Sequence, residues 1–456
     1  MEDSLTVHRV HFAVTAAYHY LFPQVSMGLA LLILWLKTRA LRRGCEVSNR
    51  AARFWIKVFG LTFVFGVVTG IPLEFQFGTS WSRFTEGAGG VVGQTLAMEG
   101  VFAFFLEASF LYGLLHGERK LGPRGHWLMA LLLFVGSWLS GYFIVCTNAF
   151  MQHPVGYEIV DGRLELESLW ALLSNPWALP QYLHTMTGAV ITGCFTMASV
   201  SALWVLQGKH LDVARRGLAT SVVIGAAASF LAAMPTGDLQ AKAVAEHQPV
   251  TFAAMEGHFH TEDGAGLVLI GQPDVNNLEL DNPIVIPKVL SFLTHQRWNA
   301  EIVGLADFDR DLWPDQIELL YYAYHVMAGL GTLFIGLMGL AAFLLWRGRL
   351  EGARPVLWAL LLALPFPFIA NTAGWMTAEL GRQPWIIHGI LRTADAHSAH
   401  VSVGNALFTL IGFLGLYGLL SLLFVVLALR LIAKGPDGPP ADGPTSGGAD
   451  PVAEAA

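Results

Sequence analysis

The stretch FAVTAAYHYLFPQVSMGLALLILWL, residues 12–36, decides the architecture. It carries no acidic or basic side chain other than His19 and is interrupted only by Pro23. At about 1.5 Å of rise per residue, a helical run of this length covers the roughly 30 Å of bilayer hydrocarbon. Eight more apolar runs follow: Val58 to Phe77, Gln94 to His116, Trp127 to Phe150, Tyr182 to Leu206, Leu218 to Met234, Tyr321 to Trp346, Val356 to Glu379 and Ala406 to Leu429. With 54% hydrophobic and 13% charged residues and a mean hydropathy of +0.52, the chain is too apolar for an ordinary soluble enzyme. The expectation is an all-α integral membrane protein with nine transmembrane helices.

Basic residues orient it. The connections holding Lys37 to Lys57, Arg119 to Arg124, Lys209 to Arg216, Arg347 to Arg354 and Arg430 to Lys434 carry 18 of the 27 Lys and Arg residues. The alternate connections carry the rest, diluted over long loops, so the first set is expected to be cytoplasmic. That places the N-terminus outside and the C-terminus in the cytoplasm. The first segment is expected to stay as a helix, because Glu2 and Asp3 stand where a signal peptide has basic residues. Cys45, Cys146 and Cys194 show no CxxC spacing, which argues against zinc, iron–sulfur or c-type haem attachment. The net charge of −7 comes largely from one acidic loop and gives no sign of a nucleic-acid partner.

Residues 1–434 read as a single transmembrane domain without convincing internal repeats, and residues 237–318 as one large external loop. Its interleaved aromatics, among them Phe252, Phe259, Phe292, Trp298 and Trp313, favour a folded lid over a solvated spacer. The tail 435–456, rich in Gly, Pro, Ala and Asp, is expected to be disordered.

Ionisable groups at membrane depth are costly and mark function. With the expected alternation of helices, His19, Glu99, His184, His325, Met327 and Glu379 all fall toward the outer face, with Glu107 deeper. His19 precedes Pro23 by one turn, so its carbonyl loses a helical partner and the ring is expected at a bend. A membrane histidine also serves simply to pack helices, and methionine is ordinary apolar filler. An imidazole opposite a thioether, however, makes a six-coordinate haem of raised potential, which points to His184 with Met327. Glu99 and Glu107, eight residues apart on one helix, read as a proton path, the alternative being neutral packing carboxyls. Trp375, Glu379 and Arg382 share a helix face, and the guanidinium suits haem propionates.

GRQPW at Gly381 to Trp385, preceded by Glu379, with EFQFGTSW at Glu74 to Trp81, AMEG and FFLE around Glu99 and Glu107, and AYHYLF around His19, resembles subunit I of the cytochrome bd-type quinol oxidases. The resemblance runs from about residue 8 to 432. It implies a multi-pass protein of the bacterial inner membrane that oxidises quinol, reduces oxygen to water and generates proton-motive force by vectorial proton uptake and release. The family's cofactors are two haem b and one haem d, a haem b standing in for haem d in some members. By motif match His184 and Met327 take the low-spin ligand positions, His19 and Glu379 the axial positions of the high-spin pair, and Glu99 and Glu107 the proton-delivery and haem-site positions. Which of His19, Glu99 and Glu379 serves which high-spin haem is left open. Glu256, in AAMEG, matches the quinol-loop glutamate. Implied partners are a second large membrane subunit, a small single-span subunit, and the membrane itself.

Two departures stand out. Thr251 replaces a lysine of many members. His325 replaces an arginine beside the methionine ligand, leaving three roles open to it: propionate partner, proton acceptor from quinol, or competing ligand. The loop is short, as in the cyanide-insensitive subgroup. The rival functions are a haem electron conduit or sensor that never meets oxygen, which leaves most of these residues without a task, and a secondary transporter, which calls for inverted repeats.

Overall fold

The computed structural model describes residues 2–436. The apolar runs all become helix. The long elements are α1 (Glu2–Arg43), α2 (Glu46–Thr79), α3 (Ser82–Gly100), a π-helical turn (Val101–Glu107) leading into α4 (Ala108–His116), and α5 (Glu118–Gln152). After the short α6 (Leu169–Leu173) come α7 (Ala178–Gln207), α8 (Leu211–Ala233) and α9 (Pro235–His247). The large loop contributes α10 (Pro249–Glu256) and α11 (Val289–His295); then follow α12 (Ile317–Trp346), α13 (Arg354–Leu362), α14 (Phe366–Gly381), the short α15 (Thr393–Ala396) and α16 (Val403–Lys434). Among the described residues eight helices are long and apolar enough to cross a membrane, and the pair α13 and α14, bent by 41°, makes up to nine. The expectation for the tail beyond residue 436 lies outside the described residues.

The spans pack through small residues, the usual device where lipid removes a hydrophobic drive between helices. Where α1 crosses α7, a Cβ on Gly28 would collide with the Ala189 carbonyl, and one on Gly193 would come within 2.8 Å of the Gly28 backbone. Glycine at both points lets the backbones touch. Leu29, Leu32, Ile33, Phe54, Trp55, Phe195 and Met338 fill the core around that crossing.

Charged groups gather at one end of the bundle. Lys37, Asn49 and Arg53 converge on Glu118 at 2.7 to 3.1 Å, while Arg50 pairs with Asp212 and Arg215 with Glu351. We call this the basic face and the opposite end, which bears the large loop, the loop face.

The loop begins later than its composition suggests. Pro235 and Gly237 end the apolar run, but they sit in the first turn of α9, where a proline lacks only an N–H that has no helical partner anyway. The helix therefore runs on to His247. Beyond it, a two-stranded hairpin pairs Leu267–Asp274 with Glu279–Ile286, and Glu262–Asp263 pairs with Glu301–Ile302. Phe252, Met255, Phe259, Leu290, Leu305 and Leu320 close a separate small core beneath them. The segment is folded and seated on α12.

Candidate functional site

His19 faces α2. Its Nδ1 lies 3.0 Å from the Thr69 hydroxyl, which itself donates to the Phe65 carbonyl at 2.8 Å. With its proton committed, Thr69 accepts from Nδ1–H, which fixes the tautomer and leaves a lone pair on Nε2. Gly70 allows the approach, since a Cβ there would sit 3.0 Å from His19 Cε1. One residue on, Tyr20 meets Trp375 of α14 edge-on at 5.7 Å.

Glu379 sits at the end of α14 with both oxygens engaged. Asn148 of α5 donates to Oε1 at 2.7 Å, and Arg382 pairs with Oε2. Gln181 of α7 in turn donates to Asn148 at 2.7 Å, so three spans fix this carboxylate. Arg382 is 2% exposed, and its Nε and Nη1 have no hydrogen-bond partner among the described residues. A buried guanidinium with donors left over calls for further anionic or acceptor groups.

His184 is half-buried on α7, with Nδ1 unpartnered among the described residues and its Cε1 3.5 Å from the Cβ position of Gly237. Met327 rests its sulfur 2.8 Å from the Cβ position of Gly374 on α14. Asn371, one turn before Gly374, donates to Gly188, one turn beyond His184, at 3.4 Å. His184 and Met327 therefore occupy neighbouring levels of the bundle, both next to α14.

Glu99 and Glu107 both turn to α5. Ser140 donates to Glu99 Oε1 at 3.1 Å, and Glu107, 5% exposed, lies beside Ser137 and within electrostatic reach of Glu99. The helix between them is not the regular one expected. The π-helical turn widens the coil, and such turns recur at functional sites.

In the folded loop Glu256 is 2% exposed, and its Oε2 is unpartnered. Burial pushes its carboxyl up to about 7, against a hydrogen bond from Tyr324 that lowers it.

The description that fits this arrangement is also the one the whole chain matches. The family model for cytochrome bd terminal oxidase subunit I covers residues 7–436. The chain belongs to that family. It is similar to the cytochrome bd ubiquinol oxidase subunit 1 of Bacillus subtilis (strain 168), 34% identical over 446 residues that cover 95% of this chain and 94% of the relative. It is also similar to the cytochrome bd-II ubiquinol oxidase subunit 1 of Escherichia coli (strain K12), 31% identical, with coverage of 98% and 99%. Its fold matches the solved bd oxidase from Geobacillus thermodenitrificans with a TM-score of 0.87 and 30% identity, over 95% of this chain and 99% of that one. The chain is thus a multi-pass subunit of a terminal oxidase of the bacterial inner membrane, in a family that works with haem.

For a bd oxidase subunit the donor set fits. Haem brings four equatorial nitrogens of its own and asks the protein for axial donors and for cations near its propionates. The free Nε2 of His19 and the leftover donors of Arg382 answer to those needs. His325 is differently placed: Nδ1 meets the Tyr321 carbonyl at 2.9 Å and Nε2 the Val268 carbonyl at 3.2 Å. A neutral imidazole donates to only one of these carbonyls, and in either tautomer the ring lies between the loop hairpin and α12. Thr251 likewise donates to the Gly381 carbonyl at 2.7 Å and docks α10 on the end of α14.

Asn148, Gln181 and Thr69 are the residues that sequence reasoning missed. Thr69 and Asn148 lie inside apolar runs and Gln181 at the edge of one, and neutral polar residues are common in such places.

Proposed function

We propose that this chain oxidises quinol at the loop face and reduces oxygen at a buried site reached by protons from the basic face. The observation that carries this reading is Arg382, a buried guanidinium fixed by Glu379 with two donors unspent, next to the level of the axial candidates. In this reading the loop face is external, as the basic-residue count argues.

Haem, when bound, supplies the redox couple that accepts electrons from quinol and the iron at which oxygen is reduced. His184 and Met327 would hold the low-spin haem b. His19, Glu379 and Glu99 would hold the high-spin pair, a second haem b and a haem d or b, with Arg382 on a propionate and Trp375 packed beside. Asn148 and Gln181 keep Glu379 in one rotamer. Glu256 takes a proton from the bound quinol, aided by its burial, which favours uptake near neutral pH. Glu107 and Glu99, backed by Ser137 and Ser140, hand protons across the middle of α3 to α5 toward the loop face. Because quinol protons leave on one side and oxygen draws its protons from the other, charge separates without a pump. The second large membrane subunit completes the complex, with a small single-span subunit as a further partner, and residues 248–316 form the quinol lid.

A reduced-minus-oxidised spectrum of the purified complex, with extracted haems, tests this. Three haems and quinol-dependent oxygen uptake are expected. A single low-spin haem, or none, would refute the assignment of His19, Glu99 and Glu379.

A further inference from the structure

From His19 toward the loop face, the seam between α1 and α2 carries buried polar groups that the proposed reaction leaves without a task. His8, His11, Thr15 and His19 recur three or four residues apart, so they share one face of α1 over about 16 Å of helix. His8 and His11 are each 2% exposed and Thr15 is fully buried. Across the seam Gln76, also 2% exposed, donates from Nε2 to both Thr15 Oγ1 at 2.9 Å and His11 Nε2 at 2.7 Å. Both amide hydrogens are thereby spent, and Gln76 Oε1 has no partner among the described residues. Neither nitrogen of His8 has one either. Beyond His8 comes His397, 6.3 Å away between ring centroids and 7% exposed; Ser398 beside it bonds Ser82 at 2.8 Å, and Ala399 and His400 are open to solvent.

An apolar seam would have closed with aliphatic side chains. This one instead aligns a histidine with two unmatched nitrogens and an unmatched amide oxygen, and buried polar groups of this kind are matched by internal water that bridges two to four partners. The line begins at the residue read above as an axial donor and ends at exposed chain. Each oxygen molecule reduced yields two of water, formed inside a bundle whose proton inlet lies toward the opposite face.

We propose that the α1–α2 seam holds a file of water molecules from the level of His19 to the loop face, and that product water leaves along it. The role as an exit rests on the reading of His19 given above; the file itself rests on the seam alone. Gln76 sets its narrow point, because its amide clamps α1 to α2 there and shows the file only an acceptor.

X-ray hydroxyl-radical labelling of the intact membrane complex, read by mass spectrometry, tests this. Radicals formed from internal water mark side chains that solvent does not reach. His8 and His11 of the unaltered protein should be modified within about tenfold of exposed His400, and far above fully buried Phe195 after correction for intrinsic reactivity. Labelling no higher than that of Phe195 would overturn the file. In His8→Phe and Gln76→Leu the labelling of His11 should fall at least about threefold, and turnover with it, while the haem spectrum stays as before. Normal turnover with a dried seam would overturn the exit role. Loss of haem in a variant would mark failed assembly, and the labelling of the unaltered protein then decides alone. A complex without the His19-dependent haem signal would instead sink the oxygen-site assignment and, with it, the exit role.

Discussion

Thr69 decides what His19 can offer. Its hydroxyl is bound to Phe65, so the imidazole must present Nδ1–H to it and keep Nε2 basic. If His19 holds haem iron as proposed, Thr69 is the residue that orients it, and such residues commonly matter by roughly 10–100-fold in affinity. Thr69→Val should therefore lower high-spin haem content while the low-spin band is kept; equal loss of both bands would mean general misfolding. Glu256 belongs to the same scale. Its carboxyl, pushed up to about 7, is protonated below that pH and a base above it. Quinol kcat/KM should rise as the pH passes upward through about 7, and Glu256→Gln should flatten that limb and cut the plateau by roughly 10²-fold, within the usual range for a proton acceptor. A limb that survives in the variant would assign it to another group. At this scale the charged residues and histidines were legible in the sequence because membrane depth makes them conspicuous. Thr69, Asn148 and Gln181 were not, since a hydroxyl or amide in an apolar helix can satisfy itself on its own backbone and carries no signature of a distant partner.

Among elements, the π-helical turn at Val101–Glu107 is the least expected. An apolar run reads the same whether it winds at 3.6 residues per turn or wider, so nothing in VFAFFLE announces it. Its effect is to set the phase between Glu99 and Glu107, both directed to one turn of α5. Val101 is 51% exposed, and deleting it would cost little packing. Removal of one residue would still swing Glu99 by about 100° relative to Glu107. The deletion should leave haem content near normal and slow oxygen reduction at least tenfold, roughly the minimum worth of a lost proton-transfer group. Oxygen uptake at the original rate would show that phase is irrelevant. The start of α9 carries a related lesson. A proline with a glycine two residues on resembles a stop, and only the position of Pro235 within a first turn reveals a beginning.

For the whole molecule, hydropathy located every helix that crosses the bundle, because in lipid the backbone has no other way to satisfy itself. The folded interior of the large loop was legible only as a tendency, for its small core depends on pairings between residues far apart, such as His325 with Val268. Orientation is open to direct measurement. A cysteine placed at exposed Asn277, in the hairpin turn, should react with a membrane-impermeant maleimide in intact cells, whereas native Cys45 at the basic face should react only after permeabilisation. The reverse pattern would invert the proposed proton geometry.

The knot at Glu118 bears on how the protein is made. Lys37, Asn49 and Arg53 belong to the first two helices to leave the ribosome, and the carboxylate that ties them together arrives only with α5. Until then a lysine destined to be 4% exposed has the neutral Asn49 amide beside it but lacks the Glu118 carboxylate. The contacts around Glu118 thus leave the α1–α2 hairpin incomplete until α5 joins it. Glu118→Gln should show itself as a shortened half-life in pulse-chase experiments, the newly inserted chain being cleared by membrane proteases before cofactor loading.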